Sequence, residues 1–372
     1  MAQKIYSTPS SDDLYAVPHF LNHQQCWMVW PERTDNWRLG AKPAQQKITA
    51  IANMLVKQEA VTMLVSKTKF INARKQLDEK IRLIEMSTND CFIRDYGPIF
   101  LQNKATQTIR GLTFNFNSWG GLNSGIYYPW HDDEMAAYKI FEIENIDYYH
   151  LPIVLEPSMV MIDNDQSCFS SYEGIMSEDR NPSLTVEQAE NYLKNYLNVI
   201  IIIWIPHGLP FDETKGRLEN LMYVVDNKTI LVSWTNNTED DRYQAVKAAY
   251  DILLRATNSH GKRYNVIKVS LPPIDVRNEE DIKLIDYNIY HQVVLPNQKL
   301  VTSYVNLYIS NKIVLIPSFN HKETQEKVLD IMSIIFNDKQ IMLIDVRELL
   351  LGKSGLNSFI CYQPELLEKK NP

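Results

Sequence analysis

The chain has 372 residues, 45% of them hydrophobic and 22% charged, with a formal net charge of −7. That supply of apolar residues suffices for a large core, and the acidic balance argues against a nucleic-acid surface, which calls for clustered lysine and arginine. Cys26, Cys91, Cys168 and Cys361 stand far apart with no CxxC pair, so neither a zinc cluster nor a disulfide framework is indicated, and they read as reduced thiols.

Residues 1–13 are polar and lack the apolar core of a signal peptide, and the most apolar run, 199–205, is too short to cross a bilayer. The expectation is a cytoplasmic protein with no membrane or nucleic-acid partner. Residues 26–43 give a short apolar strand and then a polar loop in which Trp30 and Trp37 either cover a pocket or anchor the loop. Apolar spacing predicts a helix over 45–57, a strand over 61–65, a helix over 67–77 and a strand over 81–86. Next comes Thr88-Asn-Asp-Cys-Phe-Ile-Arg-Asp-Tyr-Gly-Pro98, with Asp90 and Asp95 flanking Arg94 and a Gly-Pro turn signal at its end. Acceptor-only carboxylates on a loop leaving a strand suit a planar cation such as a guanidinium, whereas the bland alternative is a surface turn with a local Asp–Arg pair.

Strands are then predicted over 108–116, 159–162 and near Cys168, with a helix over 133–144 between the first two. Thr185-x-x-Gln188 is a capping box that opens a helix to about Leu197, and 199–205 reads as a buried strand. Strands over 221–225 and 229–234, a helix over 242–256 and a strand over 264–270 follow. The last run comprises strands over 300–308 and 313–317, a helix over 322–336 and a strand over 340–344. Strand, strand, long helix, strand thus recurs about five times, which favours a closed array of α/β units over a doubly wound sheet. No glycine-rich phosphate loop follows any strand, and no linker-like stretch divides the chain, so a single domain over 1–372 is expected.

The motif N-D-x-x-x-R-D-x-G-P at 89–98 resembles the signature of the agmatine deiminases, a branch of the guanidino-modifying enzymes. The tryptophan-rich segment 26–43 and Asn117-Ser-Trp-Gly-Gly121 are similar to the same family, and the resemblance runs from about Ser7 to Pro364. It implies an α/β propeller of five ββαβ modules around a pseudo-fivefold axis, the pentein architecture, with the active site in the central channel. It also implies a cysteine nucleophile, a histidine proton relay and three acidic residues, acting on agmatine and water to give N-carbamoylputrescine and ammonia. No metal or organic cofactor is implied. The expected partner is a small guanidino compound of the agmatine class, and a homo-oligomer is expected.

The catalytic set carries over unevenly. Asp95 sits on the family's first catalytic aspartate, and Glu156 on the glutamate of L-E-G-G, although Pro157 and Ser158 replace the two glycines and Met161 a following histidine. In Asp212-Glu-Thr-Lys-Gly-Arg-Leu-Glu219, Arg217 stands at the family histidine and Glu219 at its aspartate. Aligned without gaps over 352–364, Ser358 stands at the family cysteine and Asn357 at the histidine before it. Cys361 becomes the nucleophile only through a shift in register. Asp90, Phe92 and Trp119 complete the implied substrate-binding residues, with Phe92 in place of a family tryptophan. A guanidinium cannot relay protons near neutral pH, and a hydroxyl without a base is a poor nucleophile, so an impaired or inactive family member is expected. The alternatives are a working agmatine deiminase of putrescine and polyamine metabolism that uses Cys361 or another group, and a non-catalytic regulatory or structural subunit. Arg217 carries the group that the family's substrates present. It is expected within about 3 Å of Asp95, Glu156 or Glu219 as an internal stand-in for them.

Overall fold

The structure, a computed structural model, describes residues 1–366. Five sheets share one pairing rule: two antiparallel strands, then a helix that carries the chain from the second to a third strand parallel to it. Such a parallel return needs a crossover of a dozen or more residues, which is why each unit carries a helix at that place. The first unit is Ile99–Asn103, Thr108–Asn115, the helix Ala136–Glu144 and Tyr148–Val154. The second is Val160–Ile162, Ser167–Ser171, the helix Val186–Leu197 and Ile201–Ile205. Met222–Val224, Thr229–Trp234, Tyr243–Leu253 and Asn265–Ser270 make the third; Tyr308–Ile309, Ile313–Ser318, Lys322–Ile335 and Gln340–Asp345 make the fourth.

The fifth unit is built from both ends of the chain. Its first strand, Cys361–Pro364, pairs antiparallel with His23–Val29, which runs through the helix Lys42–Leu55 to the parallel strand Ala60–Val65. Cys361 faces Trp27 across this seam, so the ring is closed by hydrogen bonds between residues more than 300 positions apart. The expected α/β propeller of five modules is therefore the observed architecture.

Just before the first strand of four units, the chain makes a short helical turn: Ile93–Tyr96, Pro157–Met159, Leu218–Asn220 and Leu356–Phe359. The turn at 93–96 packs on those at 356–359 and 157–159, and the latter packs on 218–220. These turns bring side chains from four distant parts of the sequence to one place.

Three elements differ from expectation. Residues 300–308 are not one strand: Lys299–Leu300 pairs with Asp275–Val276, Tyr308–Ile309 starts the fourth unit, and the backbone between them is irregular. Side chains take up the local polar groups there. The Ser303 hydroxyl accepts from the Val305 amide at 3.2 Å, and Asn306 Nδ2 donates to Asn220 Oδ1 at 2.7 Å. This is where the fourth unit needs its own inward turn. Ile201–Ile205, expected as a buried strand, is half-buried along most of its length and lies at the edge of its sheet. The helix expected over 133–144 is two pieces, His131–Glu134 and Ala136–Glu144.

Candidate active site

Asp95 is carried by the turn Ile93–Tyr96, which Gly97 closes by donating its amide to the Ile93 carbonyl at 2.8 Å. A Cβ at Gly97 would lie 2.2 Å from that carbonyl oxygen, so only glycine fits. Glu156 is extended (φ −114°, ψ 131°) and leads straight into the turn opened by Pro157. Proline suits a first helical position because the amide there needs no intrahelical partner. This tight turn is the local shape that the Pro157-Ser158 pair produces. Glu219 lies within Leu218–Asn220 and Ser358 within Leu356–Phe359. Arg217 follows Gly216, whose φ of +98° and close approach to Ser171 and Gly174 favour glycine there.

All five side chains are buried: Asp95, Glu156 and Ser358 at 0% exposure, Arg217 and Glu219 at 1%. Arg217 Nη2 donates to Asp95 Oδ2 at 2.6 Å, Nη1 donates to the Lys353 carbonyl at 3.2 Å, and the Trp119 ring lies 5.4 Å from the guanidinium carbon. The expected contact between Arg217 and a site carboxylate is present. Burial works against the charge of Arg217, but the carboxylates of Asp95, Asp212 and Glu219 outweigh it and hold the pKa above the ordinary arginine value. Asp212 also accepts from the Arg217 backbone amide at 3.2 Å, which fixes where the side chain starts.

Glu156 takes a second arginine. Arg180 Nε donates to Glu156 Oε1 at 3.0 Å, and Nη2 donates to the carbonyls of Thr214 and Lys215. Burial still pushes the Glu156 pKa up, with Arg180 pulling against it. Sequence reading missed Arg180. It lies in no motif and no periodic segment, and nothing local marks it. Among the described residues no arginine hydrogen-bonds to Glu219; it accepts the Ser358 hydroxyl at 2.9 Å, and burial, reinforced by Asp95 and opposed by the charges of Arg217 and Arg94, raises its pKa to about 7. Ser358 is thus not without a neighbouring base, as its sequence context suggested, because the fold lays Glu219 against it.

The remaining sequence candidates are spoken for. Asp90 accepts from Trp37 Nε1 at 2.8 Å, from Asn36 Nδ2 at 2.9 Å and from the Cys91 amide at 2.8 Å, so its carboxylate holds the tryptophan-rich loop in place. Trp30 and Trp37 are both buried, which makes them anchors. Phe92 packs between Trp37, Trp119 and Phe359. Arg94 pairs with neither flanking aspartate; its guanidinium lies over the Tyr362 ring at 5.3 Å. Cys361 starts the closing strand, directs its thiol at the Pro98 carbonyl at 3.5 Å, and has its pKa pushed up to about 12 by burial. At neutral pH that thiol is protonated, the wrong state for a nucleophile. Asn357 donates to Tyr223 and to the Leu307 carbonyl, and its amide donates to Asn306. A cleft of about 460 Å³ elsewhere, bounded by Tyr15, Gln102, Lys104, Ile162 and Asn198 among others, shares no lining with these carboxylates.

Residues 16–364 match the family model described as Porphyromonas-type peptidyl-arginine deiminase. An agmatine deiminase of Pseudomonas fluorescens is 36% identical, over 97% of this chain and 98% of that protein. The chain belongs to the agmatine deiminase family. A Mycoplasma capricolum protein provisionally named as an agmatine deiminase is 40% identical, over 98% of this chain and 99% of that one. Among solved structures, the agmatine deiminase of Enterococcus faecalis superposes with a TM-score of 0.94 at 31% identity, covering 99% of this chain and 100% of that chain. Membership thus rests on whole-length similarity in sequence and fold.

Proposed function

We propose that this chain is an agmatine deiminase homologue that does not turn agmatine over. Deimination needs a nucleophile to add to the guanidinium carbon, a group to deliver a proton to the departing ammonia, and the same or another group to activate water. The observation that carries the reading is the buried Arg217–Asp95 pair at 2.6 Å. Asp95 is the carboxylate that would bind a substrate guanidinium, and here its cation is part of the chain. An arginine at 217 also cannot take up and release protons near neutral pH.

The active reading draws on the Ser358–Glu219 hydrogen bond, since a carboxylate with a pKa of about 7 is a plausible base on chemical grounds. It fails on access. Ser358 and Glu219 are both buried, and the neighbouring carboxylates are already paired with arginines. Ammonia release from agmatine by the purified protein tests this directly. We expect no release above a buffer blank; turnover at about one per second, an ordinary low enzyme rate, would overturn the reading.

A further inference from the structure

Residues 284–295 cross the loops at 33–39 and 124–128 without forming a helix or strand, and their polarity is inverted. On the inner side the Asp286 amide donates to the Thr34 carbonyl at 2.9 Å, Asn288 Nδ2 to Asp35 Oδ2 at 2.6 Å, and the Gln292 amide to the Ile126 carbonyl at 3.0 Å. On the outer side Leu284, Tyr287, Ile289, Tyr290, Val293 and Leu295 are each between 53% and 83% exposed. Water expels apolar surface, so a segment that keeps its polar groups inside and its apolar ones outside is built to be covered. The apolar face continues past the segment: the Tyr290 ring meets Tyr128 at 5.5 Å, and Tyr128 meets Trp130 at the same distance.

An aromatic side chain can bury about 150–250 Å² and an aliphatic one somewhat less, so the six residues offer on the order of 800 Å². Monomers seldom leave a contiguous apolar patch above about 600 Å² bare, and about 800 Å² is what each partner contributes to a stable interface. The face also carries its own counterpart. Tyr287 and Ile289 stand beside two open grooves, one bounded by Glu32, Asp35 and Asp286, the other by Leu39, Lys42, Pro43 and Leu284. Lys42 and Asp286, both at the second groove, have no ion-pair partner among the described residues. A twofold interface sets one patch against itself, which calls for projections, hollows and both signs of charge in that patch. A face for a strongly acidic or basic partner would instead carry a single sign.

We propose that this face binds a second copy of the chain through a twofold interface centred on Tyr287 and Ile289. The inner edge of the segment reaches the surroundings of Arg217: the Gln292 carbonyl accepts Lys353 Nζ at 3.3 Å, and the Lys353 carbonyl accepts Arg217 Nη1 at 3.2 Å. The second copy thus covers and holds the segment that lies against the Lys353 loop, whether or not agmatine is turned over. The test is sedimentation velocity of the full chain at micromolar concentration, with hydrogen exchange of residues 284–295 followed alongside. The wild type is expected as a dimer or a larger assembly. Tyr287→Lys/Ile289→Glu, which leaves the net charge unchanged, is expected at half that mass or less, with the segment exchanging faster. Ile334→Glu, which charges a 76% exposed isoleucine on another helix, is expected to leave mass and exchange as they are. Exposed positions tolerate such changes; if the double variant loses its far-UV circular dichroism, Leu295→Lys takes its place. A monomeric wild type, a variant of unchanged mass, unchanged exchange in the segment, or an equal effect of Ile334→Glu would overturn the proposal. So would a monomeric wild type that floats with phosphatidylcholine vesicles, which would give the face to a lipid surface instead.

Discussion

At position 219 a carboxylate is buried beside a serine and within the field of Asp95, and its pKa stands near 7 where 4.5 is usual. Between those two values the folded protein binds the Glu219 proton more tightly than the unfolded chain does. Stability from this group is therefore full below about pH 4.5, and falls as pH rises through 7. This is the reverse of the ordinary salt-bridged carboxylate. Glu219→Gln, which keeps a polar side chain of the same size without the charge, is expected to flatten the decline between those pH values in a denaturant series. An unchanged slope in the variant would mean that Glu219 is ionised throughout and that its surroundings are more polar than its burial implies.

The inward turns are the elements on which the site depends, and the one carrying Asp95 is the most tightly built. Gly97→Ala would force a methyl group to within 2.2 Å of the Ile93 carbonyl oxygen and 3.3 Å of the Cys361 sulfur. Opening the turn to relieve that overlap should cost about 2 kcal/mol or more in urea unfolding. A loss under about 0.5 kcal/mol, the range of an ordinary surface change, would show that the turn is looser than described. Elements with a local cause were legible in the sequence. Thr185 and Gln188 form the reciprocal cap they spell out, and the helix they open buries Ala189, Leu193 and Leu197 at fourfold spacing. The turn at 301–307 was not legible, because Thr302, Ser303 and Asn306 bond to partners far along the chain and their apolar neighbours mimic a strand. Arg180 was invisible for the same reason, its role being set by the distant carbonyls of Thr214 and Lys215. Asp95, Glu156, Arg217, Glu219 and Ser358 were found through motif resemblance; what the motifs lacked was the partnering, Ser358 with Glu219 and Arg180 with Glu156.

At the scale of the whole molecule, the ring closed by Cys361–Pro364 against His23–Val29 lets residues 95 and 217 meet, although neither lies near the other in sequence. No helix among the described residues is long and apolar enough to cross a membrane. The family fold is kept over 99% of the chain, while the proposed loss of the reaction rests on the neutralisation from within of Asp95, the carboxylate proposed to bind substrate. Everything in that proposal turns on Asp95 and Arg217 forming a buried pair in the folded protein. The most direct test is a double-mutant cycle in chemical denaturation with Asp95→Asn, Arg217→Ala and the two combined. Removing one partner of a buried pair strands the other charge, so the predicted coupling is on the order of 3 kcal/mol, with the double variant losing far less than the sum of the single losses. Losses that add to within about 0.5 kcal/mol would contradict the pairing and the proposal built on it.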